Sequence, residues 1–345
     1  MTPVGMQALQ IEPGVHCLFS GLRHVLVHQL PEAAETADEA DIYFQTGGLN
    51  VEYERGAFRI WLASREQILR RFAELYGMQP HISLHVESGA DAIEPLRDTL
   101  AAGRLAVLFL RTSVIEYHEA FRDASARQHI VLLHGLDEVR QAAFIADTAF
   151  YDNAGSVQTF SGAIPLPLLR EGLTGCASFE AAPGREPLPE PRRVQEALAR
   201  MDAFVRGREL PGGRWQGMSA YRALMDNLAN LSDLEDRIFT DMCKHAYYGL
   251  RIGGVVHQLE YFSRFLARHR HRFERMDELA AALEELRKDW RPALMQLYKI
   301  GLSVQRQKLA SLQERCISLL DRHERFVREL LDAARTMRTR ESALL

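Results

Sequence analysis

Apolar residues at helical spacing open the chain. Leu18, Leu22, Val25, Leu26 and Leu30 recur at three- and four-residue intervals, predicting a helix over residues 17–30. Pro13-Gly14 breaks the chain just before it. A second helix is expected over 64–76, where Ser64 followed by Gln67 makes a capping-box pattern. The pattern then alternates in HISLHV (81–86), which reads as a strand, and a short helix over 92–102 ends at Gly103. The apolar run RLAVLFLRTSV (104–114) suits a sheet interior. HIVLLH (129–134) and AAFIAD (142–147), joined by GLDEVRQ, carry a hairpin signature. Beyond residue 191 the pattern is helical, over about 192–206, 219–248, 252–272, 276–288 and 290–338. Pro211-Gly212-Gly213 and Gly253-Gly254 supply breaks. Leu294, Leu297, Gly301, Val304, Leu312, Leu319, Phe326 and Leu330 form a stripe near coiled-coil spacing, which makes a homodimer through the C-terminal helices a reasonable expectation.

Composition sharpens this division. A length of 345 residues suggests two domains, and 47% hydrophobic with 26% charged residues excludes a disordered chain. The net charge of −4 hides an asymmetry. Residues 1–180 hold 13 Arg, no Lys and 23 Asp and Glu, a balance of −10, whereas the remainder holds 29 Lys and Arg against 23 acids, a balance of +6. The seam falls in AAPGREPLPEP (181–191), where neither helix nor strand is comfortable. The expected class is α+β: a catalytic domain over 1–180, a Pro-rich linker over 181–191 and an all-helical domain over 192–345. Cys17, Cys176, Cys243 and Cys316 lie far apart with no CxxC pair, which excludes zinc ribbons and thioredoxin-type motifs. No signal peptide or membrane span is expected from the apolar pattern, and free thiols point to the cytoplasm.

One thiol stands apart. Cys17 sits at the predicted start of a helix, where free N–H groups and the helix dipole favour a thiolate. Cys243 and Cys316 fall in helical stripes and read as packing residues. A cysteine nucleophile needs a base, and the base an orienting group. If the hairpin loop centres near Glu138, His129 lies directly opposite Asp147, close enough for an imidazole–carboxylate hydrogen bond. His134 points to the opposite face and meets Ala142, so His129 is the better base. The pairs His24/His28 and His81/His85 lack an evident third ligand, so no metal is assigned. Walker A and GxGxxG motifs are absent, so no cofactor is assigned. The Arg-rich C-terminal helix interleaves Glu314, Asp321, Glu324, Glu329 and Asp332, a solvated face rather than a nucleic-acid surface.

The order Cys, His, Asp, with Cys opening a helix and the others on a hairpin, resembles a papain-like cysteine fold. More specifically, the chain resembles the butirosin biosynthesis protein H family over roughly residues 12–180. The residues that carry this are His16-Cys17 with Ser20, Leu22 and Arg23, then Gly47-Gly48-Leu49, and the block from Val107 through Tyr117 to His129-Ile130-Val131-Leu132-Leu133-His134-Gly135, followed by Asp137 and Asp147. The resemblance implies an acyltransferase that takes an acyl group from the phosphopantetheine thioester of an acyl carrier protein onto Cys17 and passes it to a small-molecule amine, in specialised metabolism. It implies catalytic roles for Cys17, His129 and Asp147. The position six before Cys17 is Ile11, with Gln10 beside it, which leaves the Cys17 backbone N–H as the expected oxyanion donor. Two other classes remain open on the residues: a cysteine hydrolase or peptidase using the same triad, and a non-catalytic interaction module.

Overall fold

The structure is a computed structural model that describes residues 5, 9–62, 64–86, 93–118, 121, 128–152 and 156–343, with side chains through Ala334. It is mixed α+β. Its strands in chain order are β1 (Val51–Glu54), β2 (Trp61–Leu62), β3 (Met78–Ser83), β4 (Ala106–Arg111), β5 (Gln128–Asp137), β6 (Ala142–Tyr151), β7 (Val157–Pro165), β8 (Leu173–Ala181), β9 (Arg208–Leu210) and β10 (Arg214–Gln216). Two compact units result, one from residues 1–42 with 65–193, the other from 43–64 with 194–345. The boundary near 193 lies just past the expected seam. The first unit is nonetheless discontinuous, because residues 43–64 fold with the C-terminal half.

The first unit is built on a six-stranded antiparallel sheet in the order β3-β8-β4-β5-β6-β7. Alternate residues of the central strands feed one core: Leu108 and Leu110 of β4 with Val131 and Leu133 of β5. Leu96 and Leu100 of helix Glu94–Ala101, and Ile164, Leu166 and Leu169, close over them. Helix Cys17–Gln29 packs on β5 and β6. Its buried residues Leu18, Leu22, Val25 and Leu26 are the predicted stripe. Helix Arg65–Leu75 packs on β3, with Phe72 edge-on to Phe179 at 5.0 Å.

Several elements differ from expectation. The strand expected at 81–86 begins at Met78, and the run 104–114 turns into a 3₁₀ segment after Arg111. Both hairpin strands are longer than their apolar runs, so the loop shrinks to residues 138–141, with Gln141 left-handed. β7 and β8 carried no clear signal: β7 is largely exposed, so little apolar alternation marks it.

The second unit is not all helical. Residues 208–216 form a hairpin, β9 and β10, which pairs through β1 with β2 in a four-stranded antiparallel sheet. The Pro211-Gly212-Gly213 expected to break a helix is its turn, with both glycines at positive φ. The helices are Glu190–Arg206, Met218–Leu228, Asp236–Arg251, Val255–Arg268, Met276–Ser303 and Leu309–Ala343. The expected break before residue 290 moves to 304–308. Helix Met276–Ser303 runs through Pro292 because Trp290, Ala293, Leu294 and Leu297 stay buried, and the chain turns instead at left-handed Val304. Leu294, Leu297, Leu312, Leu319, Phe326 and Leu330 are buried within the single chain, so the stripe carries no argument for a dimer. Among the described residues no helix is long and apolar enough to cross a membrane.

Candidate active site

Cys17 is the first residue of its helix, and the segment before it is clamped from several directions. Gly14 N–H donates to the Thr148 carbonyl at 2.9 Å, and the Tyr151 hydroxyl donates to the Val15 carbonyl at 2.8 Å. The buried Glu39 carboxylate accepts from Val15 N–H at 2.9 and 3.0 Å and from His16 N–H at 2.9 Å. Gly14 is required: a Cβ there would lie 2.2 Å from the Ser20 side chain and 2.9 Å from Glu39. His16 then caps the helix, its Nδ1 accepting from Leu18 N–H at 3.1 Å. The half-buried Cys17 thiol is thus fixed among first-turn amides that intrahelical bonding leaves free.

His129 and Asp147 come together, though not in the expected register. Leu132 opposes Ala146 and Leu133 opposes Ile145, and β5 bulges before Gly135 meets Phe144. Partners beside the loop are displaced by three residues, because the loop is centred beyond Glu138, and the bulge reduces this to two at Leu132 and Leu133. An even displacement keeps the face, so His129 sits diagonal to Asp147 instead of opposite it, still within reach of a long side chain. His129 Nε2 donates to Asp147 Oδ2 at 2.7 Å. Asp147 is fully buried; Oδ2 also accepts from the Tyr117 hydroxyl at 2.6 Å, and Oδ1 from Ala149 N–H at 3.3 Å. With Nε2 engaged, Nδ1 is the ring nitrogen left for the hydrogen bond that His129 makes with Cys17.

Electrostatics make this an ion pair. Burial raises the Cys17 thiol, but the neighbouring His16 and His129 imidazoles bring it down to about 5. Burial lowers His129, and the charges of Asp147 and Cys17, with their hydrogen bonds, bring it up to about 10. Across neutral pH the pair is thiolate and imidazolium. Tyr117 is raised by burial and by the Asp147 charge, so it stays a neutral donor. Its ring stacks on Phe160 at 4.0 Å, and Phe121 packs on the His129 ring at 4.7 Å.

The other candidates lie elsewhere. His134 sits at the far end of β5 beside Phe144, 6.4 Å between ring centres. His24 Nδ1 donates to the Ser20 carbonyl while Nε2 accepts from Glu12 N–H; His28 donates to the Gly103 carbonyl; His81 pairs with Glu180 at 3.3 Å. Among the described residues no cluster of three or more His, Cys, Asp or Glu is arranged to hold a metal ion. Burial raises Cys176, and it raises Cys243 to about 11 and Cys316 to about 12.

Nothing in the sequence marks a role for Tyr117, Glu39 or His16. His16 stood next to the nucleophile, and Tyr117 lay in a block already singled out. Glu39 reaches the site only through the fold. No protein-family model matches the chain, and no curated protein is significantly similar to it.

Proposed function

We propose that the chain is a papain-like cysteine acyltransferase of specialised metabolism, moving an acyl group from an acyl carrier protein thioester to a small-molecule amine. The observation that carries this reading is the Cys17–His129–Asp147 array at a helix N-terminus, with the thiol held as thiolate at neutral pH. The Cys17 thiolate attacks the thioester carbonyl carbon, forming a C–S bond while the carbonyl electron pair moves onto oxygen. The Cys17 backbone N–H is the donor assigned to that charge. As the tetrahedral intermediate collapses, the bond to the pantetheine sulfur breaks, and His129 Nδ1–H protonates the departing sulfur. The neutral imidazole then takes a proton from the attacking amine, the amide forms, and Cys17 leaves as thiolate beside a restored imidazolium. Asp147 holds the ring orientation and its positive charge throughout, and Tyr117 fixes Asp147.

The family resemblance over residues 12–180 supports the carrier-bound donor. The excess of positive charge beyond residue 180 suits an acidic carrier, because opposite charge steers docking. Four free thiols suit a reducing, cytoplasmic setting. Intact-mass analysis after mixing with acyl carrier proteins or simple acyl thioesters tests the reading. The expected result is an acyl adduct that is lost in Cys17→Ala and discharged when an amine is supplied. Discharge by water at the same rate with or without amine would identify a hydrolase instead. No adduct would overturn the catalytic reading altogether.

A further inference from the structure

Arg65 begins the helix Arg65–Leu75 and has no carboxylate partner among the described residues. Its guanidinium lies over the Phe109 ring, 5.7 Å from the centroid, and one amino group donates to Gln128 Oε1. Gln128 in turn donates to Thr174 Oγ1 at 2.9 Å, and the Thr174 hydroxyl donates to the Phe109 carbonyl at 2.8 Å. This relay is neutral throughout and ends on the backbone. It aims the guanidinium without neutralising it. A half-buried arginine is ordinarily met by an acid, since an unpaired buried charge is costly. Among the described residues one of its five N–H donors is used, and a fork that suits a carboxylate is left over. Gln128 is the chain neighbour of His129, so the relay is tied to the strand that carries the base. Burial lowers the Arg65 pKa and the charge of Cys17 raises it in part, which places the two groups in electrostatic reach.

We propose that Arg65 forms an anion subsite beside Cys17, taking a carboxylate carried within a few bonds of the reacting carbonyl by either the acyl donor or the amine acceptor. This rests on the proposed nucleophilic role of Cys17 and adds a substrate class to it. A neutral substrate would leave the guanidinium partly desolvated and unpaired, whereas a carboxylate would gain a charge-assisted, two-pronged contact.

Iodoacetate and iodoacetamide test the subsite without knowledge of the substrate. Both alkylate a thiolate by forming a C–S bond with loss of iodide, and they differ in the carboxylate. The ratio of their rates at Cys17, read by intact mass, cancels any change in thiol pKa. The ratio should fall about tenfold in favour of the amide in Arg65→Gln, the scale of a charged hydrogen bond. It should fall part of that way in Gln128→Leu, which leaves the guanidinium charged but unaimed and serves if the first variant does not fold. Rapid labelling with a ratio unchanged in these variants would overturn the subsite and leave the nucleophile standing. Failure of both reagents to label Cys17 would overturn both readings. The carboxylate's source follows from two comparisons in wild type and Arg65→Gln: a carboxylated acyl thioester against its amide in adduct formation, and an amino acid against its amide in adduct discharge. One of them should lose the carboxylate's advantage in the variant; loss in neither would also overturn the proposal.

Discussion

Asp147→Asn removes a charge while keeping the side chain's shape, so it isolates what the carboxylate does to the ion pair. In the native chain the reactive state extends from about pH 5, where Cys17 gains its proton, to about pH 10, where His129 loses its own. Asp147 is fully buried, 2.7 Å from His129 Nε2, and its charge is the largest influence raising that imidazole. An opposite charge at such a distance shifts a pKa by about 1–3 units. Without it the imidazolium is less stable, so His129 titrates lower; with less positive charge beside it, Cys17 titrates higher. Both limits move inward, each by about 1–2 units. The assay is the pH dependence of the rate at which iodoacetamide alkylates Cys17, whose acidic limb follows the thiol. The limb should rise from near pH 5 in the variant, with Tyr117 and His129 still bonded to the amide oxygen and the fold intact by circular dichroism. An acidic limb unchanged in Asp147→Asn would refute the claim that this carboxylate sustains the ion pair.

Three further outcomes follow from the geometry. His129→Ala should return Cys17 toward an ordinary or raised thiol pKa and slow its alkylation at neutral pH by about 100-fold, while His134→Ala leaves the rate unchanged; the reverse order would identify His134 as the base. Glu39→Gln places an amide against the Val15 and His16 N–H groups and should cost about 2 kcal/mol in urea unfolding, with slower Cys17 alkylation; a cost below about 0.5 kcal/mol would show that the loop is held otherwise. His323 is fully buried between Phe204 and Phe262, and burial pushes it down to about 4. Because its folded pKa lies below the unfolded value, the unfolded chain binds the proton first, and stability falls as pH drops from about 6.5 to 4, by about 3 kcal/mol. His323→Leu should flatten that part of the pH–stability curve, and an unchanged slope would contradict the buried neutral imidazole.

Much of the site was legible because its members lie in strongly patterned segments. The Cys17 helix follows from Leu18, Leu22, Val25 and Leu26, and the face of His129 and Asp147 follows from alternation alone. The register did not follow, since polar Asp137 ends β5 inside what reads as loop, and the bulge near His134 leaves no mark in composition. Tertiary packing overrode local signals at Pro292, where buried Trp290 and Leu294 keep the helix continuous through a residue that ordinarily breaks one. Glu39 and Arg65 act from helix starts far from Cys17 in sequence, and an acid or base at a first turn looks the same whether it serves the dipole or a distant loop.

One cysteine of four is ionised at neutral pH because His16 and His129 face it. Thiolate absorbance in the ultraviolet, measured at pH 7 and compared with Cys17→Ala, counts ionised thiols directly. Burial holds Cys176, Cys243 and Cys316 as protonated thiols, so the native chain should show one thiolate per molecule and the variant none. A native chain with no thiolate at pH 7, or one whose signal survives Cys17→Ala, would contradict the account.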